Sequence, residues 1–255
     1  MGTSGAYSGS GGKDGKAVRD TISDYLDGLS GPDGERPPLD PAALQRVINL
    51  IRPSTTSGGG SDGPGGGGGG TSGGGAGSRS GGGPQRSAAA SARTAGRAAA
   101  AAYAYSTGDA ATLQRLGLDY NELRSLGDEF EVLRRIVNMA CGTPESTIED
   151  HEQRRIAAEV AEWVMEQLRD GYQPLPEEMV RQTIAVIIAE TLLVESGDLV
   201  NNHDQAEVAE SDIRDAAEAI AAQVDLSVDG ATEDEISRAV QAGLETIRSI
   251  VGGGN

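Results

Sequence analysis

The 255-residue chain carries a formal charge of −18, and residues 101–255 alone hold 31 Asp and Glu against 11 Lys and Arg. A half this acidic repels nucleic acid and anionic membrane surfaces, which excludes the classes of protein that bind them through a basic face. One Trp, one Phe and one Cys exclude an aromatic-rich core and an internal disulfide framework, so the core must be built from Ala, Leu, Ile and Val in a reducing compartment.

The first dozen residues are small, polar and glycine-rich. They hold too little apolar surface to offset the entropy of ordering them, and a flexible tail is expected over residues 1–14. Gly2 follows Met1, and a small second residue allows removal of the methionine, leaving an unhindered glycine amine. Gly2, Thr3, Ser4, Tyr7, Gly9 and Gly11 are the candidate residues of a modification or partner-binding tail. A positive stretch followed by an apolar one, the mark of a secretory signal, is missing at this end. Ala6 breaks the myristoylation pattern, which needs Ser or Thr there. The longest apolar stretch, Thr183 to Val194, is interrupted by Glu190 and is too short to span a bilayer. A soluble cytoplasmic protein is expected.

Next come a short helical segment over residues 15–53, a glycine-rich disordered linker over 54–86 and a helical domain over 87–252. Val18, Ile22, Tyr25 and Leu26 repeat at the spacing of one helix face within Lys16–Leu29. Asp40 followed by Pro41 reads as an N-cap and first helical residue. Leu44, Val47, Ile48 and Ile51 form the next apolar stripe, which Pro53 ends. Two helices this short need a surface to fold on, either the C-terminal domain or a partner protein. The linker contains the unbroken run Gly65 to Gly70 and should span roughly 30 Å as a flexible tether. Its glycines lack the Gly-Lys-Ser/Thr that would make a phosphate-binding loop.

Ser87 to Tyr105 is alanine-rich and favours helix. Gly108-Asp109 marks a break and a new cap, with short helices at Ala110–Leu116 and Tyr120–Leu126. In Asp128–Ala140 the apolar side is read as Phe130, Leu133, Ile136, Val137 and Ala140, and Gly142 and Pro144 stop the helix. Ser146 with Glu149 fits a capping box for a helix whose stripe is Ile156, Val160, Trp163, Val164 and Leu168. Glu177–Ser196 is apolar on more than one face, which suits a central buried helix. Amphipathic helices at Gln205–Val224 and Thr232–Ile250 finish the chain, the second with Thr232 as cap and Glu235 three residues on. The expected class is all-α, a multi-helix bundle.

Catalytic signals are weak. His151 and His203 are the two histidines and stand in no metal-ligand spacing. Cys141 lies at a helix C-terminus, where the dipole raises a thiol pKa, so it reads as structural. Glu177-Glu178 and Glu233-Asp234-Glu235 fall in first helical turns, where acids stabilise the dipole. Arg79, Arg86, Arg93 and Arg97 make a thin basic stripe, best read as a solvated helix face. No catalytic, cofactor-binding or metal-binding residue is assigned. An enzyme would have to assemble its site from dispersed carboxylates and one of the histidines.

Two separated blocks carry a family resemblance. One is Met1-Gly2-Thr3-Ser4 with Tyr7 and the following glycines. The other is Cys141-Gly142-Thr143 and Thr147-Ile148-Glu149-Asp150, leading into a helix with Ala158-Glu159 and then a long apolar helix. Together they resemble QatB, the B component of Qat anti-phage defence systems, over roughly Asp128 to Ile250 and the first dozen residues. The glycine-rich linker and the helix pair at Lys16–Arg52 depart from that pattern. The resemblance implies three partners: a P-loop ATPase, a QueC-like enzyme and a TatD-like metal-dependent hydrolase. It also implies a non-catalytic protein that serves as substrate and scaffold. The QueC-like enzyme would join a 7-deazapurine carboxylate to its N-terminal amine, and an α-amine with a pKa near ~7.7–8.0 has a usable neutral fraction. If the hydrolase trims the tail first, the acceptor is Gly9 or Gly11 instead of Gly2. The alternative is a plain helical adaptor whose tail is irrelevant.

Overall fold

The computed structural model describes residues 9–30, 39–53, 86–145, 147–226, 228 and 230–252. The helices are α1 (Lys13–Leu29), α2 (Pro41–Leu44), α3 (Ala88–Thr107), α4 (Ala110–Arg115), α5 (Tyr120–Ser125), α6 (Glu129–Cys141), α7 (Ile148–Arg169), α8 (Pro176–Asn201), α9 (Ala206–Ala221) and α10 (Glu233–Gly252). The 3-10 segment Gln45–Leu50 follows α2. Among the described residues there is no strand, and the architecture is an all-α multi-helix bundle.

The apolar distribution along α8 explains its place. Met179, Val180, Ile184, Ile187, Ile188 and Leu192 point in several directions and are all buried. Such a helix has no face to give to solvent and has to lie inside. It packs against α1, α3, α7, α9 and α10. α3 solves a different problem with alanine. Ala95, Ala98, Ala99 and Ala102 are buried, and their small side chains let α7 and α10 come close. At Gly96 a Cβ would meet the Ser237 hydroxyl and press on the α10 backbone at Ser237 and Glu233, so glycine lets the two helices cross closely there.

The first helices share this core. Val18, Ile22, Tyr25 and Leu26 of α1 are buried together with Leu44, Val47, Ile48 and Ile51. Tyr25 hydrogen-bonds Asp212 of α9, and the Arg248 guanidinium of α10 donates to the carbonyls of Ile48 and Ile51. The surface these short elements need is therefore their own C-terminal bundle. The Arg52 N–H donates to the Arg86 carbonyl (2.8 Å) and the Ala88 N–H to the Arg52 carbonyl (3.0 Å). The glycine-rich stretch thus begins and ends at one place.

Several local expectations need correction. The stretch after Pro41 keeps the Asp40 cap, which accepts from the Ala42 N–H, but tightens to 3-10 geometry after four helical residues. Thr147 caps α7, accepting from the Asp150 N–H (3.1 Å); Ser146, the expected cap, lies outside the described residues. In α6 the buried face is Val132, Ile136 and Ala140, whereas Phe130 is 69% exposed. Trp163 is half-buried, and the α7 face in the core is Ile156, Ala157, Val160, Ala161, Val164 and Met165. α8 runs on to Asn201, past Ser196.

Candidate functional site

The tail residues Gly2, Thr3, Ser4 and Tyr7 lie outside the described residues. Gly9 and Gly11 are described, and between them Ser10 enters a polar cluster formed by α1, α7 and α8. Both the backbone N–H and the hydroxyl of Ser10 donate to the Glu195 carboxylate, the hydroxyl at 2.9 Å. Arg19 of α1 donates to the same carboxylate and to the Ser10 carbonyl (2.9 Å). Glu195 is fully buried. An ionised carboxylate is tolerated in such a place only when cations and donors surround it.

Arg86 supplies the second cation. Its Nη1 is 3.6 Å from Glu195 Oε2, and its Nε donates to both oxygens of Glu152, at 2.7 and 2.8 Å. Thr191 of α8 donates to Glu152 (3.3 Å). Burial pushes the Glu152 pKa above the usual carboxylate range, although Arg86 pulls the other way. The network ties the entry to α3 to the first halves of α7 and α1 and the second half of α8. Gly15 makes this geometry possible, because a Cβ there would crowd both Glu195 Oε1 and the Ser10 carbonyl. Gly9 has φ +89° and lies against Arg19, while Gly11 is exposed.

A second ionic cluster joins α7, α8 and α9. Arg155 is 2.8 Å from Glu190, and Arg214 pairs with Glu159 and stands 3.9 Å from Glu190. Glu159 and Glu190 lie close enough for each carboxylate to feel the other's charge, with Arg155 and Arg214 as their cations. Burial, opposed by Arg214, pushes the Glu159 pKa up to about 7 and raises that of Glu190.

The other sequence candidates are scattered. His151 is exposed in the first turn of α7. His203 Nε2 is 2.9 Å from the Ser30 hydroxyl, and its Nδ1 accepts from the Gln205 N–H, so Nε2 carries the proton in the neutral ring. Burial raises the Cys141 thiol to about 11, which keeps it protonated at neutral pH. Among the described residues no group of three or more His, Cys, Asp or Glu is placed to hold a metal ion. The basic stripe is not a continuous face: Arg86 is buried, Arg97 pairs with Glu233 (3.2 Å), and Arg79 lies outside the described residues.

Sequence reasoning missed Ser10, Arg19, Arg86, Glu152 and Glu195 as a unit. One signal was available, since Glu190 and Glu195 fall among the apolar residues of the stretch from Ile184 to Val200. Acids there must find cations from elsewhere in the fold. The cluster's carboxylates are all engaged by protein donors, and its chemistry is that of an anchor fixing where the N-terminal segment joins the bundle. No family model matches the chain, and neither a curated protein nor a solved structure matches it. None of the helices among the described residues is long and apolar enough to cross a membrane.

Proposed function

We propose that this chain is a non-catalytic component of an anti-phage defence system, a protein substrate and scaffold modified at its N-terminal glycine tail. In this reading a QueC-like partner enzyme activates a 7-deazapurine carboxylate with ATP as an acyl-adenylate, the neutral terminal amine displaces AMP to form an amide and loses its proton, and the TatD-like hydrolase and P-loop ATPase act in the same system. The observation that carries the reading is the anchoring of Ser10 on Glu195 and Arg19. Once Met1 is removed, residues 2–8 lie between the acceptor amine and Gly9, and a fully extended seven-residue chain reaches at most about 25 Å. An enzyme docked on the bundle within that radius would meet the terminus at high effective concentration.

Among the three candidate acceptors, anchoring favours Gly2. Gly9 lies against Arg19, and a terminus created at Gly11 would strip Ser10 from the buried Glu195. The test is deletion of residues 2–8 with Ser10 retained, in cells carrying the whole system. Protection against phage is lost while the purified protein keeps its helicity and melting temperature; unchanged protection overturns the reading. The adaptor alternative gains support from the exposed Phe130. It expects the tail deletion to be silent and surface changes on α6 to abolish protection.

A further inference from the structure

The chain's single phenylalanine is on the surface. Phe130 lies in the first turn of α6 and lines an open groove of about 220 Å³ with Leu133, Met165, Glu129, Glu162 and Glu166. A second depression shares Glu129 and Met165 and carries the groove on toward Tyr105 and Leu168. α6 does not need Phe130 for its own packing, since Val132, Ile136 and Ala140 already fill the core side. The Phe130 ring is therefore apolar surface that no described residue covers.

The rim is acidic. Glu129 comes from α6 and Glu162 and Glu166 from α7, and the lining cation Arg169 is already shared by Glu129 (3.1 Å) and Glu166 (3.5 Å). We infer that this α6–α7 groove docks a cationic amphipathic segment of another protein, an apolar side chain seating against Phe130 and its Lys or Arg neighbours pairing with Glu129, Glu162 and Glu166. Charge complementarity selects this occupant. A second copy of the chain on a two-fold axis would bring the same acids face to face. Residues 31–38 and 54–85 contain no Leu, Ile, Val, Met or aromatic residue and have nothing to seat on Phe130, and residues 1–8 hold Met1 and Tyr7 but no Lys or Arg for the acidic rim. Anionic lipid would meet the same negative rim. The inference is independent of the tail's modification.

The test uses the full chain and two synthetic amphipathic helical peptides with the same Leu and Phe positions, one flanked by Lys and Arg, the other by Glu. Binding is read by fluorescence anisotropy at low and raised salt. The cationic peptide binds and the acidic one does not. Phe130→Ser weakens binding about tenfold or more, as does the pair Glu162→Lys and Glu166→Lys, and raised salt weakens it further. Phe130 is exposed, so the variant's circular dichroism stays that of the parent. Equal binding by Phe130→Ser would mean only diffuse attraction to an acidic protein and would overturn the inference. So would equal binding of both peptides, Phe130-dependent self-association in sedimentation, or Phe130-dependent co-sedimentation with phosphatidylglycerol vesicles.

Discussion

The Glu195 carboxylate, buried in the last third of α8, accepts from both the backbone N–H and the hydroxyl of Ser10, so one side chain holds the start of the bundle. Removing it leaves Arg19 without its buried anion and Arg86 with Glu152 alone. Glu195→Ala is expected to cost roughly 3–5 kcal/mol, the range for breaking a buried ion pair from one side. Urea denaturation measures this, and limited proteolysis should show faster cleavage near residues 9–12. A cost below about 1 kcal/mol would mean that the anchor is not a structural necessity.

Stability should fall as pH rises from about 4.5 to about 7. Glu159 titrates near 4.5 without its native surroundings and at about 7 within them. In this window the native state holds a proton that the unfolded chain has released, so raising the pH favours unfolding. The stabilisation is complete below the lower value and lost through the upper one. Glu190 shifts in the same direction. Denaturant midpoints across this range check the slope, and Glu159→Gln should flatten it.

What the sequence reveals here is local geometry. The α1 face Val18, Ile22, Tyr25 and Leu26 is buried as its spacing predicts. Asp40 caps as expected, and at the start of α10 the Thr232 N–H donates to the Glu235 carboxylate while the Glu235 N–H donates to the Thr232 hydroxyl. Helical period and cap chemistry lie within a few residues of each other and need no tertiary knowledge. The errors come from distant partners. On α6 two apolar stripes overlap, and only the position of α3 and α7 decides that Val132 goes inside and Phe130 stays out. Arg86 looks like one member of a solvated stripe until Glu152 and Glu195, 66 and 109 positions away in the sequence, are folded around it. The Ser10 anchor was illegible for the same reason.

Because Arg52 and Ser87 are bridged, the intervening stretch closes a loop. Its entropy cost grows with the logarithm of its length. Replacing residues 54–85 by a loop of about ten residues should stabilise the protein by about 1 kcal/mol. Chemical denaturation reads this directly. Destabilisation would show that the long segment contributes contacts of its own.

The two faces of α6 should respond differently to truncation. Ile136→Ala removes a fully buried side chain and should cost roughly 2–5 kcal/mol. Phe130→Ser should change stability by no more than about 0.5 kcal/mol. Paired thermal melts distinguish them, and similar losses in both variants would place Phe130 in the core.

The substrate role is tested most directly by the intact mass of this protein, with N-terminal peptide mapping, after expression alone and together with its neighbouring genes. A partner-dependent mass increase on a glycine upstream of Ser10 is the predicted result. An unmodified terminus under both conditions contradicts it and shifts the function to the surface of the helical bundle.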